Sequence, residues 1–219
     1  MKAHEMNFIS DDLKRNPKRK RKSGILIIPL MILSLLILSA NVTFAHCDTM
    51  DGPVIKDAKI AIEKNNINYA FKWIQPQDEN ELRNAFLLTM KVRILSPDAM
   101  ILADKYFFET LVRLHRSGEG VPFTGVKPSG TPIDEKILAA DKSIETGDMT
   151  PLKELVPAEV IPELTERFVK AMSLRNFDVN NVETGRAYIE SYVQFFKFAE
   201  GEEEGHNEIP GDAHSVHNH

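Results

Sequence analysis

Residues 62–106 and 144–188 align without a gap at a constant offset of 82, and eight aligned pairs are identical. The pairs are Ile62/Ile144, Glu63/Glu145, Glu81/Glu163, Leu82/Leu164, Phe86/Phe168, Met90/Met172, Arg93/Arg175 and Tyr106/Tyr188. Average composition gives only about two or three matches over such a length. Trp73/Leu155, Ile74/Val156, Leu87/Val169 and Val92/Leu174 are conservative pairs in the same register. The pattern reads as a tandem duplication of a unit of roughly 80 residues.

The period inside each unit is helical. Val54–Lys64 and Ile133–Glu145 are amphipathic first helices, followed by the turn dipeptides Asn65-Asn66 and Gly147-Asp148. Short second helices are expected at Asn68–Ile74 and Pro151–Leu155, the latter with Thr150 as N-cap. Third helices over Asp78–Leu95 and Ala158–Asn176 align Leu82, Phe86 and Met90, or Leu164, Phe168 and Met172, on one stripe. Fourth helices run from Pro97 to Arg116 and from Asn180 to Ala199, with Tyr106, Phe107, Phe108 and Leu111 set to face Tyr188, Ile189, Tyr192, Val193 and Phe196. No alternating β-branched run competes. The expected fold is an all-α helical bundle.

Ahead of the repeat, Lys14–Lys22 is a basic block, Gly24–Ala40 an apolar run, and Thr43 and Ala45 are small residues before His46. These are the parts of a secretory signal peptide covering residues 1–45. The alternative is an uncleaved anchor, because residues 24–45 are just long enough to span a bilayer. Either way the body is exported, to the periplasm or beyond the cell, and meets the membrane only through that segment. A lipoprotein signal does not fit, since His46 rather than a small residue precedes Cys47. Residues 46–219 hold 19 basic and 29 acidic residues, a balance of −10, so nucleic acid is excluded as a general partner. The remaining divisions are a start segment 46–53, unit one over 54–117, a linker 118–132 with four Gly and three Pro, unit two over 133–200, and a tail 201–219.

The helices carry little recognisable chemistry. There is no phosphate loop, no His-x-x-x-His pair, no Cys-x-x-Cys and no serine nucleophile elbow. Tyr106, Glu109, Arg113 and Arg116 share one face and read as an ion-paired stripe. His115 lies on an apolar face with Phe108, Leu111 and Val112; it is either a hydrogen-bonded core residue or a metal ligand.

Cleavage after Ala45 makes His46 residue one, followed by Cys47, Asp48, Thr49, Met50, Asp51, Gly52 and Pro53. A first-residue His offers its α-amine and imidazole from adjacent atoms, and the thiolate of Cys47 selects copper, nickel or zinc over harder cations. Asp48 and Asp51 add oxygen ligands or hydrogen-bond acceptors, and Gly52-Pro53 turns the segment back onto the helices. Cys47 is the only cysteine, and its place at the second mature residue argues against a core position. A dimer disulfide or an unstructured start is the competing reading.

Two resemblances follow. The stretch from His46 to Val54, with Tyr106 through Gly120, resembles an uncharacterised family of secreted bacterial helical proteins, implying export and an all-α fold over nearly all of residues 46–200. His46-Cys47-Asp48 with Gly52 is similar to the amino-terminal hook of nickel superoxide dismutase, His-Cys-Asp-Leu-Pro-Cys-Gly. That likeness implies nickel held by the amine, His46 and Cys47; Asp51 stands where the hook has its second thiolate.

At the other end, His206, His214, His217 and His219 lie in an acidic tail expected to lack fixed structure after Glu200. Such tracts bind transition metals weakly or serve only as solvated tails. Three functions follow: a metalloprotein with its site at the mature N-terminus, for which superoxide dismutation is the most natural redox reaction; a non-catalytic metal carrier using the tail; and a structural or partner-binding repeat protein, with oligomerisation open.

Overall fold

A computed structural model describes residues 46–201 of the chain. Eight α-helices are formed there, and no strand occurs among the described residues. They are α1 (Pro53–Lys64), α2 (Asn68–Phe71), α3 (Glu79–Val92), α4 (Pro97–Gly118), α5 (Glu135–Thr146), α6 (Thr150–Lys153), α7 (Ile161–Leu174) and α8 (Val182–Glu200). Short 3-10 turns at Pro76–Asp78 and Ala158–Val160 lead into α3 and α7. The first four elements of each half have equal lengths and start 82 residues apart. α8 starts 85 residues after α4, the extra residues lying in the turn between α7 and α8.

Local chemistry sets the boundaries. Pro53 and Pro97 occupy first-turn positions, where a missing N–H costs nothing. Ser96 caps α4 by accepting from the Ala99 amide at 3.1 Å, and Asn181 caps α8 through Thr184 at 3.3 Å. Asn65 and Gly147 end α1 and α5 in the left-handed region, at φ 48° and 79°. One expectation fails here. Thr150 is the first residue of α6 rather than its cap, and its amide is taken by the Asp148 side chain at 2.9 Å.

α3 packs on α4 and α7 on α8, while α1 lies against α4 and α5 against α8. Leu82, Phe107, Leu111, Leu152, Leu164 and Phe195 are fully buried in one core. The expected facing of the fourth helices is also corrected: each packs chiefly on its own hairpin partner, and Tyr106 is exposed. The halves meet instead around Trp73, whose ring stands edge-on to Tyr192 at 6.1 Å. Arg186 of α8 adds bonds to the Ile74 carbonyl (3.0 Å) and Glu79 (2.6 Å). Among the described residues no helix is long and apolar enough to cross a membrane, and residues 24–45 lie outside them.

Candidate functional site

The start of the body does not hang free. His46, Cys47, Asp48 and Thr49 are all buried, which overturns the expectation that Cys47 avoids the core. The cause lies in the linker. Lys127 donates its amide to the Asp48 carbonyl (2.8 Å) and accepts from the Met50 amide (2.9 Å), making one parallel bridge between Thr49 and Lys127. Asp51 accepts from Ser129 Oγ (2.5 Å) and the Gly130 amide (2.9 Å), bonds that lower its carboxyl pKa below the ordinary value. Residues 118–132 are thus a strap across the start segment as well as a connection between units.

Under the strap the segment closes into a tight turn, with Thr49 donating from both its amide and its hydroxyl to the His46 carbonyl, at 3.3 and 3.1 Å. Gly52 completes the turn at an ordinary φ of −74°, so its requirement is one of space. A β-carbon there would lie 2.1 Å from the His46 carbonyl oxygen. Gly52→Ala is therefore expected to displace the turn and cost about 1–3 kcal/mol in urea unfolding, the range for forced overpacking; an unchanged midpoint would contradict this close approach.

Two polar networks meet around Cys47. In one, Asp141 of α5 takes the His46 Nε2 contact at 2.5 Å and the hydroxyl of Tyr192 at 2.5 Å. In the other, Arg116 Nε lies 3.4 Å from Asp48 and Nη1 lies 3.7 Å from Glu119. Glu119 also faces His115 Nε2 at 3.7 Å and Lys197 at 3.8 Å. His115 Nδ1 bonds the Trp73 carbonyl at 2.9 Å, and its ring sits edge-on to Trp73 at 5.6 Å. Around Cys47 the buried Asp48 and the half-buried Glu119 and Asp141 face Arg116 and Lys197, and the charge of Lys127 also acts on Asp48.

The electrostatics follow from that placement. Burial, then Glu119, Asp48 and Asp141, push the Cys47 thiol well above its ordinary pKa. Burial raises Asp48 to about 6 although Arg116 pulls it down, and burial lowers the pKa of His115. His46 Nδ1, Asp48 Oδ1 and His115 Nε2 are buried without a hydrogen-bond partner. Such atoms are costly unless a water, an ion or a change of state satisfies them.

Of the residues singled out from sequence, His46, Cys47, Asp48 and His115 belong to this one region. Asp51 does not; it is exposed and turned to the strap. His206, His214, His217 and His219 lie outside the described residues. Among the described residues, no three His, Cys, Asp or Glu side chains are grouped so as to hold a metal ion. Asp141 and Glu119 escaped the sequence reading, and Tyr192 entered it only as a packing residue. Asp141 had a usable signal: it is spaced four residues after Ile137 and three before Ile144, both buried, which sets a half-buried carboxylate at the edge of an apolar stripe, where it needs a partner. On the ion-paired stripe, Arg113 pairs with Glu81, Glu109 with Lys105, and Arg116 turns inward to Asp48.

The fold and this region define an all-α protein with a charged centre closed over its own start segment. The chain belongs to a family of unknown function, DUF6448, whose model matches residues 51–198. His46 to Met50 precede the matched span. No curated protein and no solved structure matches the chain.

Proposed function

We propose that this is an exported helical protein that holds one transition-metal ion (copper, nickel or zinc) at the start of its processed chain. The observation that carries the reading is the gathering of His46, Cys47, Asp48 and His115 in one buried region, where His46 Nδ1, Asp48 Oδ1 and His115 Nε2 lack hydrogen-bond partners. An exposed, unstructured start would bring none of these together. His46 and Cys47 are adjacent, so the α-amine released by cleavage, the imidazole and the thiolate form a chelate needing no third side chain. Asp141 then supports the imidazole from outside.

Catalysis has less support than binding. The position of the second hook thiolate is Asp51, held by Ser129 and Gly130 on the strap side. A redox couple tuned by two sulfurs is therefore not part of the proposal, and the likeness to nickel superoxide dismutase is confined to His46 and Cys47. The equal element order of the two halves supports descent of both from one unit. A structural reading draws on Asp141, which clamps the start segment to α5 and α8 through His46 and Tyr192.

One insertion separates these readings. Adding a single residue between Ala45 and His46 keeps every side chain and moves only the amine. The processed parent should bind one ion at least tenfold more tightly than this variant in competition titrations with copper, nickel and zinc. Equal affinity removes the amine from the site, and no binding by either leaves the clamp as the segment's role.

A further inference from the structure

Ten large hydrophobic side chains are exposed among the described residues, and eight of them fall within residues 87–106, the distal half of the α3–α4 hairpin. Their spacing gathers them into one stripe along each helix. On α3, Leu87 and Leu88 stand one turn before Lys91, and Ile94 and Leu95 follow it at the same interval. On α4, Asp98 stands one turn before Ile101 and Leu102, which precede Lys105 and Tyr106. Ile94 and Leu95 are 78% and 73% exposed, and Ile101 and Leu102 are 62% and 69% exposed. A patch of this density is not the scattered exposure common to soluble proteins. Arg93 holds Asp104 through two bonds of 2.9 and 3.2 Å, and Thr89 donates to the Ala103 carbonyl at 3.1 Å, so the hairpin is braced beneath the patch.

Charge says what kind of surface covers this face. Of the charged residues within 87–106, Arg93 pairs with Asp104, and Lys105 pairs with Glu109 at 3.8 Å. Lys91 and Asp98 make no ion pair or hydrogen bond among the described residues. Each sits inside an apolar stripe. A covering surface must therefore set an anion against Lys91 and a cation against Asp98, or leave a desolvated charge unpaired. An anionic surface answers Lys91 and repels Asp98. A second copy of the chain carries both answers, because a twofold axis through the face sets Lys91 of each copy against Asp98 of the other.

The second half of the chain shows that this part of the hairpin is a contact surface. At the α7–α8 turn, Phe177 stands 82 residues after Leu95, and there the cover comes from within the chain. Lys72 lies over the Phe177 ring at 5.2 Å, and Asn66 and Asn68 each donate to Asn180 at 3.4 Å. Lys170 and Asn176 stand at the positions of Leu88 and Ile94. The turn closed within the chain is thus the more polar of the two, and the one left open carries the apolar stripes, the arrangement of a face closed between chains.

We propose that two copies of the chain associate through their α3–α4 hairpins about a twofold axis, burying Leu88, Ile94, Leu95, Ile101 and Leu102 and pairing Lys91 of each copy with the partner's Asp98. The pairing stands apart from the metal reading and does not depend on it. Sedimentation equilibrium of the chain isolated from its producing cells should show a monomer–dimer equilibrium. Lys91→Asp and Asp98→Lys should each weaken it at least about tenfold, because each sets like charges together twice in the dimer. Both positions are exposed, and circular dichroism should show the helix content of the two variants unchanged. Mixed in equal amounts, the two variants should associate about as well as the parent, since every pair across the mixed interface is again of opposite charge. A parent that stays monomeric, with or without binding to phosphatidylglycerol vesicles, would overturn the proposal. So would association that neither reversal weakens, which would place the contact elsewhere in the chain. Weakening by both variants with no recovery on mixing would also overturn it, because Lys91 and Asp98 would then not face each other.

Discussion

Arg116→Met should destabilise the protein by about 3–5 kcal/mol at pH 8, read as a lower urea midpoint at unchanged slope. Methionine keeps most of the side-chain volume, so the loss is one of charge. Arg116 is buried between Asp48 and Glu119, and its removal leaves the buried Asp48 and the half-buried Glu119 without the guanidinium that faces both. Arg113→Met is the control three residues earlier. Its partner Glu81 and Arg113 itself are both exposed, and such pairs contribute under about 1 kcal/mol. Asp48→Asn in the Arg116→Met background should recover part of the loss. Equal effects at 113 and 116 would show that the buried network carries no special weight.

Asp48 should make the metal-free protein more stable as the pH falls from about 6 toward 4. Its folded pKa of about 6 lies above the ordinary aspartate value of 3.8, so folding takes up a proton between those values. The carboxylate is charged in both states above that window and neutral in both below it. The cost of burying the charge is thus present at neutral pH and relieved on acidification, by at most about 3 kcal/mol for a shift of this size. Asp51 runs the other way: its lowered pKa gives stability present above the unfolded value and lost as pH falls through the folded one. Stability measured by urea unfolding in chelator should pass through a maximum on the acid side of neutrality, and Asp48→Asn should flatten the slope between pH 4 and 6. An unchanged slope would mean that Asp48 is better solvated than its burial implies. The two predictions are coupled, because without Arg116 the Asp48 carboxyl protonates more readily and the cost of Arg116→Met shrinks at low pH.

The helices were legible because their signals are local. The Leu82, Phe86 and Met90 stripe, Pro97 after Ser96 and Gly147 at the end of α5 each act within one or two turns, and the observed boundaries fall close to those expected. Thr150 was misread because the side-chain acceptor at this helix start is Asp148, two residues earlier, which takes the Thr150 amide and leaves Thr150 inside the first turn. The centre was half legible. His46, Cys47 and Asp48 stand out by residue type, yet their burial depends on Lys127, Ser129 and Gly130, some 80 residues away in a segment with no periodicity. Position in the chain was a poor guide to exposure for Cys47, because a strap can bury a terminus as effectively as a helix. Asp141 and Tyr192 join the centre only through packing of α5 on α8. The repeat gave no help, since the second unit has Lys197 where the first has His115.

The most direct test of the central claim is the metal content of the protein isolated from its producing cells, measured with its N-terminal sequence on the same sample. The account predicts His46 as residue one and a single tightly held copper, nickel or zinc ion that survives truncation after Glu200 and is lost in Cys47→Ser. A chain that starts at His46 yet carries no ion after exposure to all three metals, or one whose ion is unaffected by Cys47→Ser, would contradict it.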